Sequence, residues 1–139
     1  MVQYDYVFRV KYSDTDKMGI VHHSNYARYF ENARAELFRS VGVSYAEIEK
    51  NGYMFPVISL HIDYLKTIVY DEKVTIHTVL ESIRGARLIF SFVLYNQNKE
   101  IVSKAQIQIA CVYQEKWKPC SLPEFIVSAL QNARDSEKG

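Results

Sequence analysis

The chain predicts an α+β fold in which an antiparallel sheet curves around one long helix. Three observations carry this. Apolar residues recur at spacings of three and four from Tyr26 to Val41, the mark of an amphipathic helix. Four long stretches after Ile58 alternate apolar and polar residues, the mark of half-buried strands. The links between those stretches are short, so neighbouring strands pair antiparallel.

The elements follow in order. Tyr4, Tyr6, Phe8, Val10 and Tyr12 alternate, which predicts a first strand with one buried face. A loop with Asp14, Asp16 and Gly19 comes next. Ser24 or Asn25 is positioned as N-cap of the helix. Its apolar stripe is Tyr26, Tyr29, Phe30, Ala33, Leu37, Phe38 and Val41, and Gly42 provides a C′ stop. After a short segment from Tyr45 to Gly52, strands are expected at Ile58–Tyr64, Val74–Leu80, Leu88–Leu94 and Ile101–Tyr113. Gly85 suits a tight turn between the second and third of these, and Asn96–Asn98 a turn before the fourth. Ser121 and Glu124 around Pro123 read as a capping box opening a last helix through Ala133. A helix with a wide apolar face needs a cover, and the sheet is the available partner. Its open edges favour pairing of two copies.

At 139 residues the chain fits one domain, drawn at 1–134, with a polar tail at 135–139. Hydrophobic residues make up 48%, and eleven tyrosines with seven phenylalanines supply a bulky interior. A net charge of +1 argues against broad electrostatic binding of nucleic acid. No apolar run approaches the roughly 20 residues a membrane span needs, and the N-terminus lacks the pattern of a signal peptide. Cys111 and Cys120 are too few for a disulfide framework, so a reducing, cytoplasmic setting is the simplest expectation. Cys111, within a strand pattern, reads as a small buried hydrophobe.

Chemistry-bearing residues concentrate between Tyr12 and Glu31, in YSDTDKMGIVHHSNYARYFE. Acids, histidines and a tyrosine stand just ahead of a helix start, where unpaired N–H groups and partial positive charge are available. Asp14 and Asp16 are also common turn formers, and Asp14 reads mainly as a loop hydrogen-bonder. His22 and His23 are expected to point in different directions, so that only one reaches a shared site. Tyr12 continues the core-facing alternation and is open to a packing role. The DTD and HH pairs contain metal-ligand types, but their spacing matches no ligand pattern, and no metal is assigned.

The pattern Asp16-x-x-Gly19-x-Val21, with Tyr26 and Glu31 downstream, resembles the signature of hotdog-fold acyl-CoA thioesterases. It is most similar to the 4-hydroxybenzoyl-CoA thioesterase family, in its branch linked to the Tol–Pal envelope system. The run IDYLKTIVYDE, Ile62 to Glu72, resembles a second landmark of that family, with Thr67 where proline is common. The resemblance extends from about Tyr4 to Ala133. It implies a sheet wrapped around a central helix, protomers paired into dimers and often tetramers, and a site at the protomer interface. The substrate it implies is an acyl-CoA of short to medium chain or aromatic acyl group, or an acyl carrier protein thioester. No separate cofactor is implied, since CoA belongs to the substrate.

Carried onto this sequence, the family's catalytic carboxylate falls on Asp16, and a tyrosine and a histidine of the Tol–Pal branch fall on Tyr12 and His23. Asp16 would act as general base toward water or as nucleophile, and both routes stay open. A backbone N–H near His23 would polarise the thioester oxygen. Val21, Tyr26, Glu31 and Ser59 are candidate substrate contacts, with Glu31 also open to a supporting or structural role. Lys66, Arg84 and Arg87 are candidates for the CoA phosphates, or are ordinary solvated charges. Two other readings are a hotdog dehydratase of 3-hydroxyacyl thioesters, using His23 and an acid from a partner, and a non-catalytic acyl-CoA-binding protein.

Overall fold

The computed structural model describes residues 2–138. Strand β1 (Gln3–Arg9) leads through a 3₁₀ turn (Tyr12–Asp14) and a loop into helix α1 (Ser24–Ser40). A short helix α2 (Tyr45–Lys50) and strand β2 (Tyr53–Met54) follow. Then come the long strands β3 (Val57–Tyr64), β4 (Lys73–Arg84), β5 (Arg87–Tyr95) and β6 (Ile101–Ala110). Short strands β7 (Val112–Tyr113) and β8 (Lys118–Pro119) precede helix α3 (Glu124–Lys138).

The main sheet has five strands in the order β1-β4-β5-β6-β3, every pair antiparallel. A second sheet joins β2, β7 and β8. The α1 stripe lies on one face of the main sheet. Phe30 meets Phe92 with ring centroids 5.1 Å apart, and Phe38 meets Phe90 at 5.8 Å. Register shifts at Leu80/Ser82 in β4 and Val57/Ser59 in β3 are bulges, which bend strands and increase twist. The antiparallel α+β architecture follows the sequence pattern.

Several local expectations change. The first strand stops at Arg9, and Tyr12 opens the 3₁₀ turn with 77% of its surface exposed, so it is no part of the core-facing alternation. The stretch Ile101–Tyr113 breaks at Cys111, where the chain leaves β5 and turns to pair with β2. The apolar residues of β3 are not buried: Val57, Ile58, Leu60 and Tyr64 are all exposed, because β3 is an edge strand. At the start of α3 the N–H groups of Ile126 and Val127 donate to the Pro123 carbonyl, and no capping bond to the Ser121 side chain forms among the described residues. Helix α3 continues past Ala133 to Lys138, and Gly139 of the expected tail lies outside the described residues.

One burial is unexpected. Arg34 sits in the α1 stripe with 5% of its surface exposed. Its Nε donates to the Tyr45 hydroxyl at 2.8 Å and its Nη2 to Glu31 Oε2 at 2.6 Å. These bonds tie α2 to α1 and offset part of the cost of desolvating a guanidinium.

Candidate functional site

The loop between β1 and α1 is a compact hairpin-like turn. Thr15 bridges Val21, and Ile20 bridges Val69. The Asp16 N–H donates to the Ile20 carbonyl at 2.9 Å, and the Gly19 N–H to the Asp16 carbonyl at 3.0 Å. Gly19 takes φ +77°, a left-handed conformation that costs a side-chain-bearing residue about 1 kcal/mol or more. Asp16 Oδ1 accepts from the N–H groups of Met18 at 2.8 Å and Ile20 at 3.3 Å. Asp16 is thus the turn former its residue type suggests. That function occupies one oxygen. Oδ2 has no partner among the described residues, and the side chain is exposed.

Asp14 fixes this loop to the helix. It is 5% exposed and accepts from the Tyr29 hydroxyl at 2.8 Å and from the Arg28 guanidinium. Its carbonyl accepts from the His22 N–H at 3.1 Å and the Asn25 side-chain amide at 2.9 Å. Burial, together with the bond to Asp14, raises the Tyr29 pKa well above its ordinary value, so this phenol stays a donor. The structural reading of Asp14 fits these contacts.

The helix entry differs from the expected cap. His23 holds the N-cap position with helical angles and makes no side-chain cap bond. Ser24 lies inside the helix. Its N–H donates to His22 Nδ1 at 3.2 Å, and its hydroxyl meets the same nitrogen at 2.8 Å. His22 is therefore the capping side chain. The two imidazoles lie 4.3 Å apart by centroid, which overturns the expectation that they diverge. The His22 N–H is bonded to Asp14, but the His23 N–H has no acceptor among the described residues. An unpaired donor at the positive end of a 17-residue helix can stabilise a developing negative charge.

Tyr64, at the end of β3, borders this entry. Its hydroxyl reaches the His23 carbonyl at 3.4 Å, and its ring packs 6.1 Å from His23 and 5.0 Å from Tyr26. Sequence reading took Tyr64 only as a strand residue. Its position in IDYLKT, directly before the turn that bridges the Asp16 loop, is the signal that pointed there.

The remaining candidates scatter. Tyr12 packs edge-on against Tyr70, centroids 5.6 Å apart, and its hydroxyl makes no bond to Asp16. Val21 and Tyr26 are buried in the protomer's own core, which leaves little of either for a ligand. Burial pushes the Tyr26 phenol up to about 12. Glu31 is paired with Arg34. Lys66 lies two residues beyond Tyr64, paired with Glu100, whose carboxyl is held below its usual range by Lys66 and Asn96. Ser59 stands five residues before Tyr64 on β3, about 17 Å along the strand. Arg84 and Arg87 face each other across the β4–β5 turn, at the opposite end of β4 from the Asp16 loop. One protomer thus joins Asp16, His23, Tyr64 and Lys66 at one end of the sheet, and leaves Ser59, Arg84 and Arg87 elsewhere. Among the described residues no group of three or more His, Cys, Asp or Glu side chains is placed to hold a metal ion, and no helix is long and apolar enough to cross a membrane.

Comparison with known proteins agrees with this fold. The acyl-CoA thioester hydrolase YbgC of Escherichia coli is 32% identical over 123 residues, 88% of this chain and 92% of that protein. The acyl-CoA thioesterase YbgC of Haemophilus influenzae is 31% identical over 132 residues, 94% of this chain and 96% of that protein. The solved structure of a DHNA-CoA thioesterase from Staphylococcus aureus superposes with a TM-score of 0.87 at 30% identity, covering 99% of this chain and 92% of that one. The hotdog architecture, a sheet packed on one long helix, is common to them. The thioesterase-like superfamily model matches residues 10–130, which take in α1 and four of the five strands of the main sheet, and the chain belongs to that superfamily.

Proposed function

We propose that the protein hydrolyses an acyl-CoA thioester to the free acid and the CoA thiol, with Asp16 as the reacting carboxylate. The observation that carries this reading is the pairing of two unsatisfied groups on one short segment. Asp16 Oδ2 is free while Oδ1 is anchored, and the His23 N–H is free at the helix entry. Anchoring one carboxylate oxygen orients the other without neutralising it.

On the general-base route, Oδ2 takes a proton from water as the water oxygen attacks the thioester carbon. The carbonyl oxygen becomes an oxyanion and accepts from the His23 N–H. The intermediate collapses with cleavage of the C–S bond, and the departing thiolate takes up the proton. On the nucleophilic route, Oδ2 attacks the carbon directly, the C–S bond breaks and the CoA thiolate leaves to take up a proton, and water then opens the mixed anhydride to the free acid and the Asp16 carboxylate. The same free oxygen, Oδ2, serves either route. The His23 imidazole, exposed beside the entry, is placed to orient the water. Tyr12 makes no contact that supports a part in the chemistry.

The relatives named as acyl-CoA thioesterases support the CoA carrier. An acyl carrier protein presents the same pantetheine arm and remains within the proposal, as do short- to medium-chain and aromatic acyl groups. Lys66 is the cationic candidate nearest the loop. Arg84 and Arg87, at the far end of β4, would join the same cleft only as the contribution of a second copy. The exposed apolar edge of β3, which ends at Tyr64 beside the site, supports a homodimer, with a tetramer as a further step. Two free thiols fit a reducing, cytoplasmic setting.

The test is thiol release from a panel of acyl-CoAs by the wild type and by Asp16→Asn, with folding monitored by circular dichroism. Asparagine keeps the Oδ1 acceptor and removes the base. Loss of release across the panel with an intact fold is expected. Near wild-type turnover by the variant sinks the assignment.

A further inference from the structure

The two cysteines, far apart from any role in the proposed hydrolysis, face each other. Strands β7 and β8 pair Val112 with Pro119 and Tyr113 with Lys118, so one step outward along the ladder Cys111 stands opposite Cys120. The Cys120 N–H donates to the Cys111 carbonyl at 2.9 Å, which fixes that opposition. Directly opposed residues of such a pair have Cα atoms roughly 5.5 Å apart, inside the range a disulfide spans. The thiols are free, and their sulfurs lie 3.5 Å apart. Cys111 is fully buried and Cys120 is half-buried.

We propose that Cys111 and Cys120 form a reversible redox site that takes hydrogen peroxide. Exposure assigns the parts. Cys120 is the thiol that solvent reaches, so its thiolate attacks the peroxide. A sulfur–oxygen bond forms, the oxygen–oxygen bond breaks, and one water leaves, giving a sulfenic acid on Cys120. The Cys111 sulfur then attacks the Cys120 sulfur. A disulfide forms, the sulfur–oxygen bond breaks, and the hydroxyl departs with the Cys111 proton as a second water. Two thiols are oxidised and one peroxide is reduced to two waters. Burial and the contact with Cys120 push the Cys111 thiol up to about 12, so it stays protonated and Cys120 meets the peroxide first.

The geometry also says what the bond does. It closes the base of the β7–β8 hairpin, whose turn holds Trp117 in the left-handed region at φ +49°. That hairpin carries the exposed rings of Tyr113, in β7, and Trp117, in the turn. Oxidation staples this hairpin, and a thiol reductant releases it.

The test uses the purified full chain, reduced, desalted and exposed to a modest excess of hydrogen peroxide. Intact mass and thiol titration under denaturant are read before and after added dithiothreitol. The expected result is a mass lower by about 2 Da, loss of both thiols, and recovery of both on reduction. Peptide mapping should place the link between Cys111 and Cys120. Cys120→Ser should show no intramolecular link and keep Cys111 unmodified. A gain of about 16 or 32 Da with Cys111 still titratable overturns the proposal, because the pair then fails to resolve the sulfenic acid. No mass change, or a disulfide between two chains, overturns it equally.

Discussion

The Tyr29 hydroxyl donates to Asp14 Oδ2 at 2.8 Å, and with the Arg28 and Asn25 contacts this bond ties the first turns of α1 to the segment that precedes it. Asp14 is almost fully buried, and its other oxygen is held by Arg28. Removing the carboxylate strands a buried phenol and frees a guanidinium. Asp14→Ala is therefore expected to destabilise the fold by about 3 kcal/mol, and Tyr29→Phe by about 1 kcal/mol, since Arg28 still neutralises Asp14. Urea unfolding of both variants and of the double variant measures this. Strictly additive losses would mean that the two side chains are not coupled.

Asp16 does two things that separate cleanly by substitution. Its Oδ1 closes the turn onto Met18 and Ile20, and its Oδ2, without a partner among the described residues, is the oxygen proposed to react. Asp16→Asn retains the first and loses the second. Asp16→Ala loses both. Both variants should lose about 10²-fold or more in kcat for thiol release, the range of a general base. Only Asp16→Ala should also lose stability, by about 1 kcal/mol, the worth of a local side-chain to backbone cap. If the two variants lose stability equally while differing in turnover, the division of labour between the oxygens is wrong.

Much of this was legible in the sequence, and the exceptions share a cause. The α1 stripe reads directly because a helix imposes its own period, and six of its seven expected residues, from Tyr26 to Phe38, are buried. The β3 alternation is equally clear, yet its apolar side chains are exposed, because strand order and not pattern decides which strand is an edge. Arg34 interrupts the stripe and is still buried: Glu31 pairs with it from one turn earlier on α1, and Tyr45 meets it only once α2 folds back. The Asp16 loop was visible as a motif, and its position ahead of a helix followed from local order. Tyr64 beside His23 was not, because that contact spans 41 residues and depends on the register of a distant strand.

Tyr26 makes a prediction about alkaline pH. Burial, with smaller repulsion from Tyr64 and Glu72, raises its phenol from 10.0 to about 12. Above pH 10 the unfolded chain releases this proton while the folded chain retains it. The unfolded state then binds fewer protons, so stability falls as pH rises from 10 to 12. Below pH 10 the group makes no pH-dependent contribution. Two pH units correspond to at most on the order of 2–3 kcal/mol. Tyr26→Phe should therefore narrow the loss of stability between pH 9 and pH 11.5, measured by denaturant unfolding at each pH. An unchanged difference between the two pH values would show that the Tyr26 proton is not linked to folding.

The β3 edge links assembly to activity. Val57, Ile58, Leu60 and Tyr64 present exposed apolar side chains along an edge strand, an arrangement that invites pairing with a second copy. One protomer leaves Arg84 and Arg87 far from Asp16, so a cleft that uses them is complete only in a pair. Leu60 is remote from Asp16 in sequence and 41% exposed in the single chain, which makes it a clean probe. Leu60→Lys places a strongly hydrated charge on the edge, where pairing would have to desolvate it beside its symmetry mate. The variant should sediment as a monomer where the wild type sediments as a dimer or tetramer. Its thiol release should fall by about tenfold or more, the effect of losing even one well-placed ionic contact of roughly 1.4 kcal/mol or more. Raising protein concentration should restore both together, because association and activity would then be one equilibrium. A monomeric variant with full thiol release would separate the two and place the whole cleft within one chain.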